Sequence, residues 1–162
     1  MSWPRVAFRP LTQDILAWND VVEGNEYGLP DCFDMQADVI LDVGAHIGCF
    51  AIACLQRRAH KVVCVEPDPD NCNLLRFNLQ PYHDRAHVVQ GAIWRNDRVE
   101  KIYLNTRPEV GGALTAMSHT LRPYGLSVEP IMLDQLLKMY GWVRLLKLDC
   151  EEIGRASCRE RV

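Results

Sequence analysis

Val39-Ile40-Leu41-Asp42-Val43-Gly44-Ala45-His46-Ile47-Gly48 and, further on, Val62-Val63-Cys64-Val65-Glu66-Pro67-Asp68 decide how this chain folds. Each begins as a short, continuous apolar run rich in β-branched residues. Continuous rather than alternating apolar character is what a strand buried on both faces needs, and such strands belong to parallel sheets. The first run closes in a glycine turn, the second in an acid and a proline. Between them, Cys49 to Arg58 reads as a helix, apolar at its start and basic in its last turn, where cations suit the dipole. Strand, glycine turn, helix and strand make a βαβ unit. Its glycines let a ligand approach the backbone, and an acid at the tip of the second strand can hold ribose hydroxyls.

Outward from this unit the pattern continues. Asp70 is the expected cap of a helix running to about Leu79, with Leu74, Leu75 and Leu79 on one side and Pro81 at its end. Ala86–Gln90 reads as a third strand, with Gly91-Ala92-Ile93-Trp94 continuing beyond it. Val99–Leu104 alternates and is expected to pair, antiparallel, with part of Leu114–Met117 or Leu126–Met132. Asp134 is the expected cap of a helix over Gln135–Tyr140 closed by Gly141. Val143–Leu148 is a fourth central strand ending at Asp149. Residues 1–38 read as an irregular approach segment, with a short helix or strand from Asp14 to Trp18 and a turn around Gly28 and Pro30. The expected fold class is α/β: a doubly wound, mostly parallel, Rossmann-like sheet built by residues 39–151 and incomplete at its C-terminus.

Composition narrows the function classes. The chain has 162 residues, 48% apolar and 24% charged, with a net charge of -3. That is enough for one domain with a real core and offers no basic field to nucleic acid. No apolar run reaches the roughly 18 residues of a membrane span, and Met1-Ser2-Trp3-Pro4-Arg5 lacks a signal peptide's apolar core. Seven cysteines without a Cys-x-x-Cys pair read as reduced thiols of a cytoplasmic protein. No His/Cys cluster supports a metal site.

The chemistry-bearing residues lie at strand ends. Gly44 and Gly48 flank a turn in which His46 stands where a dinucleotide fingerprint has its middle glycine. The turn therefore suits a nucleoside with an amino-acid tail better than a pyrophosphate. Asp42 is a strand-end carboxylate, costly to bury without a partner. Glu66 stands where an acid meets ribose hydroxyls. His46 reads more readily as a polar filler donating to backbone than as a ligand or base, and Trp94 as a core residue rather than a stacking platform. Lys147, Asp149 and Glu151 share one side of the fourth strand. The two acids could orient an acceptor hydroxyl, take its proton or hold a metal, or pair with Lys147 in support of the sheet.

The last ten residues, Ile153 to Val162, share no pattern with the rest and read as the translation of a string similar to a sequencing-library adapter. On that reading residues 152–162 are a non-native tail, the natural frame is cut after Glu151, and the net charge without Ile153 to Val162 is -5.

Taken together, Val39–Gly48, Val65-Glu66-Pro67-Asp68, Asn78-Leu79 and Leu146-Lys147-Leu148-Asp149-Cys150-Glu151 resemble the FkbM-type family of S-adenosylmethionine-dependent methyltransferases. Arg9-Pro10-Leu11-Thr12-Gln13-Asp14 and Tyr27 resemble that family's N-terminal approach. Two departures stand out: His46 where the family usually has Asn, and Glu152 where its last motif continues into Gly-x-Glu. The resemblance implies a class I methyltransferase with S-adenosyl-L-methionine as cofactor. Asp42, Gly44, His46 and Gly48 would shape the methionine end of the pocket, Glu66 would hold the ribose, and Gln90, Gly91 and Ala92 would lie near the adenine. Asp149 or Glu151 would serve as the base for methyl transfer to a hydroxylated small molecule or glycan, with no nucleic-acid or membrane partner. The competing readings are a nicotinamide-dependent oxidoreductase, disfavoured by His46, a non-catalytic nucleoside-binding module, and a nucleic-acid methyltransferase, to which the acidic balance gives no help.

Overall fold

Four apolar runs find each other as one parallel sheet. In the computed structural model, which describes residues 5–94, 102–104, 117–118 and 126–149, α1 (Asp14–Trp18) is followed by β1 (Val39–Val43), α2 (Cys49–Gln56), β2 (Lys61–Glu66), α3 (Pro69–Leu79) and β3 (Ala86–Gln90). Then come β4 (Ala92–Trp94), β5 (Ile102–Leu104), β6 (Met117–Ser118), β7 (Leu126–Val128), β8 (Pro130–Met132), α4 (Leu133–Tyr140) and β9 (Val143–Leu148). The central order is β3-β2-β1-β9, all parallel. The chain thus builds outward from β1 on one side and returns to its other side. That reversal places a topological switch point between β1 and β9, where ligands of open α/β sheets bind beyond the strands' carboxyl ends.

Both faces of the sheet are covered, as the continuous apolar runs require. Ile40, Val62 and Cys64 pack with α2, α3 and the approach segment, including Trp18, Phe50, Leu75 and Leu79. Leu41, Val43, Val63 and Val65 face the other way, onto Ile93, Leu136 and Ile131. The α/β, doubly wound, mostly parallel architecture is therefore the one the sequence implies. α2 is buried from Cys49 through Leu55, which an element apolar all round must be. Among the described residues, no helix is long and apolar enough to cross a membrane, and the cysteines Cys32, Cys49, Cys54, Cys64 and Cys72 are free thiols.

Several local expectations are corrected. The cap of α3 is Asp68, not Asp70: its side chain accepts from Asp70 N and Asn71 N. Pro69 explains the shift, since its fixed φ and missing N–H suit the first helical position. α4 starts at Leu133 and Asp134 lies in its first turn without capping, pairing instead with Lys138 at 3.2 Å. Arg57 and Arg58 follow α2 rather than forming its last turn. Beyond Gln90, the chain does not extend β3. Gly91 (φ +158) turns it into β4, which pairs parallel with β8 in a second sheet. The antiparallel excursion is present as β5 between β6 and β7. Residues 99–101, Glu151 and the 152–162 tail lie outside the described residues.

Gly48 shows how tightly the turn is built. It caps α2 with φ +97, and a Cβ there would lie 2.8 Å from Cδ1 of the buried Leu75. Gly48→Ala is expected to cost about 2 kcal/mol or more, from left-handed strain and overpacking together. Urea midpoints at constant slope would show it.

Candidate functional site

The site forms where β1, β2 and β9 end. Alternation places Ile40, Asp42 and Gly44 on the α2 side of the sheet, and parallel register sets Asp42 opposite Lys147 of β9. Two lone charges in neighbouring buried strands thus become a pair. Lys147 Nζ lies 2.9 Å from Asp42 Oδ1 and donates to the Gly44 carbonyl at 3.0 Å. Their side chains are 7% and 0% exposed, so the pair is fully inside the protein. Burial works against the ammonium, but Asp42 outweighs it and holds the Lys147 pKa above its ordinary value. The second Asp42 oxygen, Oδ2, is buried with no hydrogen-bond donor among the described residues.

Lys147 is further enclosed by rings: Nζ lies 5.7 Å from the centre of Tyr27 and 5.5 Å from that of Phe50. The two rings meet edge to face at 5.1 Å. The turn at Asn25–Gly28 brings Tyr27 here, with Gly28 at φ +59 and the Asn25 side chain bonded to both Leu29 N and Leu29 O. The Tyr27 hydroxyl donates to Asp149 Oδ2 at 3.0 Å. Burial, followed by the opposing influence of Lys147, leaves the phenol pushed up to about 12, so it is a donor at neutral pH. Asp149 is exposed, with Lys147 Nζ 3.8 Å from the same Oδ2. Its backbone N–H donates to the Val43 carbonyl.

The glycine turn is stitched to β2. Gly44 (φ +77) and Ala45 both donate to the Val65 carbonyl, and Gly48 donates to Ala45 O. His46 (φ +52) donates its backbone N–H to Glu66 Oε2 at 2.8 Å. Glu66 Oε1 takes Asp68 N at 3.0 Å and Asn71 Nδ2 at 3.1 Å. Glu66 is 0% exposed, and burial outweighs these donors in pushing its pKa up. The expectation of an acid presented at a strand tip is thus modified: the carboxylate lies beneath the turn and takes three protein donors.

Among the described residues the His46 ring meets side chains rather than backbone. Its Nε2 lies 2.9 Å from Arg9 Nη2 and 3.3 Å from Asp14 Oδ1. Arg9 also grips both Asp14 oxygens and donates to Asn71 Oδ1 at 2.7 Å. Asn78 ties the segment again, accepting from Ala7 N and donating to Ala7 O and Ile47 O. Gln90 is exposed at the end of β3. Ala92, by contrast, is buried in the second sheet with its N–H on Glu129 O, and Gly91 N–H is taken by Glu66 O.

The structure therefore brings together Asp42, Gly44, His46, Gly48, Glu66 and Asp149 at one end of the sheet and sets Ala92 into a separate pairing. Sequence reading gave Arg9, Asp14 and Asn71 no site role, and it set Lys147 against Asp149 and Glu151 rather than against Asp42. A signal existed for the last: a carboxylate in an apolar strand demands an opposite charge, and Lys147 is the lone cation inside the apolar run Val143–Leu148 apart from the exposed Arg144.

No family model matches the chain, and no curated protein does. Among solved structures it is similar to a Pyrococcus horikoshii protein described as an RNA methyltransferase, at 25% identity and TM-score 0.37, over 49% of this chain and 38% of that one. It is similar to P. horikoshii TYW2 in complex with MeSAdo, at 21% identity and TM-score 0.35, over 53% of this chain and 29% of that one. A third similarity is to the Trypanosoma brucei PRMT1 enzyme–prozyme complex with AdoHcy, at 22% identity and TM-score 0.35, over 54% of this chain and 27% of that one. The chain spans 38% or less of the length of each of the three.

Proposed function

We propose that this chain is the cofactor-binding part of an S-adenosylmethionine-dependent methyltransferase of the FkbM type, acting on a hydroxyl of a small molecule or glycan. The observation that carries the reading is the buried Asp42 Oδ2, which lacks a donor among the described residues at the switch point beside the glycine turn. An amino-acid ammonium is a donor of the kind that oxygen needs, and Gly44 at φ +77 lets such a tail approach the backbone. The residues present thus fit the methionine end of the cofactor. Gly44, His46 and Gly48 would frame it, Glu66 would shape the nucleoside end through its hold on His46 N–H and Asn71, and Gln90 would lie toward the adenine.

When bound, S-adenosylmethionine supplies an electrophilic methyl group on a sulfonium. The chain's contribution is alignment, exclusion of water and proton handling. Lys147 locks the Gly44 carbonyl and Asp42 in place. Asp149 accepts the proton of the attacking hydroxyl, a role it is suited to by its exposed carboxylate. Glu151 is the alternative base. Tyr27 donates to Asp149 Oδ2, so the other carboxylate oxygen would be the one to take the proton. The net negative charge of the chain favours a hydroxylated small molecule or glycan over nucleic acid.

Calorimetric titration tests the reading. S-adenosylhomocysteine is expected to bind saturably and NAD not at all; binding of NAD alone would replace it with the oxidoreductase reading. Methyl incorporation from labelled S-adenosylmethionine into RNA, rather than into hydroxylated small molecules or glycans, would move the acceptor class to nucleic acid.

A further inference from the structure

Arg9, Asn71, Glu66 and His46 close a ring of hydrogen bonds. Arg9 Nη1 donates to Asn71 Oδ1, Asn71 Nδ2 donates to Glu66 Oε1, His46 N donates to Glu66 Oε2, and the His46 ring returns to Arg9 Nη2. Asp14, buried and bound through both oxygens to Arg9, anchors the ring in the approach segment. Four separate parts of the chain meet in it: the approach segment, the glycine turn, the end of β2 and the start of α3.

The return bond fixes a protonation state. A guanidinium has donors and no acceptor, so at 2.9 Å from Arg9 Nη2 the His46 Nε2 must offer a lone pair. His46 in the ring is therefore neutral, with its proton on Nδ1. Protonation would set an imidazolium against the guanidinium and leave only Asp14 Oδ1, at 3.3 Å, as its partner. The charged groups facing His46 are Arg9 and Asp14 of the approach segment, Asp42 of β1, Glu66 of β2 through the His46 backbone N–H, Lys147 of β9, and Asp68 before α3. Burial pushes the imidazole down most, Asp14 works against it, and Arg9 and Lys147 add to the lowering.

We propose that Arg9 is a positioning residue of the cofactor pocket, holding Glu66 through Asn71 and the glycine turn through neutral His46, so that the approach segment is a working part of the site. The cofactor half of this proposal rests on the methyltransferase reading. Cofactor affinity is then coupled to the charge of His46. It falls as pH drops through the lowered His46 pKa, because protonation opens the ring.

The test combines a titration of His46 by NMR with calorimetry of S-adenosylhomocysteine across pH. Arg9→Met removes a cation and frees Asp14, both of which favour imidazolium. His46 should bind its proton at least about tenfold more tightly, a rise of about one pH unit. Affinity for S-adenosylhomocysteine at neutral pH should weaken about tenfold, with its acid fall moved to higher pH. Should Arg9→Met fail to fold, His46→Gln serves, since a glutamine carbonyl accepts from Arg9 at every pH and the part of the acid fall that tracks the wild-type His46 titration must vanish, leaving only a fall from protonation of Glu66. An unchanged His46 titration in Arg9→Met, or an acid fall in His46→Gln that still follows the wild-type His46 titration, overturns the proposal. A shifted titration with unaltered affinity also overturns it, leaving the ring a structural fastening only. A wild-type chain that binds no S-adenosylhomocysteine overturns the methyltransferase reading and the cofactor half with it, and the His46 titration separates that failure from a missing Arg9–His46 bond.

Discussion

Lys147→Ala is expected to destabilise the protein by about 3–5 kcal/mol, the scale for breaking a buried ion pair by removing one partner. The size follows from what stays behind. Asp42 is 0% exposed and its Oδ2 already has no donor among the described residues, so without Lys147 its carboxylate keeps none of them, and the Gly44 carbonyl loses its bond to Lys147 as well. The variant should respond to pH in a specific sense. A buried, unpaired carboxylate has a folded pKa above its unfolded value, so the folded state binds more protons between the two, and stability falls as pH rises through that window. Lys147→Ala should therefore be most nearly wild-type in acid and weakest at neutral pH. The double variant Asp42→Leu with Lys147→Met removes both charges and should recover most of the loss. Urea unfolding at a series of pH values measures all three, and a loss under about 1 kcal/mol for Lys147→Ala would contradict a buried pair.

Glu66→Ala should be the other severe change, costing about 3 kcal/mol or more. It leaves His46 N–H, Asp68 N–H and the Asn71 amide without an acceptor. An orphaned buried donor costs about 1–3 kcal/mol; the Asn71 bond is buried and the other two are half-buried, and the three share one neighbourhood, so three full penalties are an upper bound. Glu66→Gln separates the parts. It keeps the shape and one carbonyl oxygen but puts an amide nitrogen against a donor, so an intermediate loss is expected. A Glu66→Ala variant as stable as wild type, with weaker binding of S-adenosylhomocysteine, would instead return Glu66 to the role of an exposed ribose ligand. The two variants in thermal and calorimetric series decide between these.

The difference between expectation and structure is instructive at Glu66 and Asp68. Position along the chain shows that an acid closes β2, yet it does not show which atoms approach that acid from the turn and from α3. The same holds for the α3 cap. Asp68 and Asp70 both satisfy the composition rule for a helix start, and the choice falls to Asp68 because Pro69 is a poor cap and a good first helical residue. At Gln90 the error has another cause. Apolar residues 92–94 continue the pattern of β3, but Gly91 turns the backbone, and a Cβ there would meet Ile131 Cδ1 at 2.5 Å and Glu129 O at 2.8 Å. A strand from elsewhere in the chain claimed the segment.

The sequence by itself determined the strands of the central sheet, the helices between them, the glycine turn and the fold class. These depend on local composition: continuous apolar runs, glycine and proline at their ends, and the requirement that such strands be covered on both faces. Only the tertiary structure decided the partners. Asp42 meets Lys147 across 105 residues of chain, Tyr27 meets Asp149 across 122, and Arg9 meets Asn71 across 62. A buried charge obliges the fold to supply an opposite charge or a donor, but it does not say from where. Strand order and register make that choice.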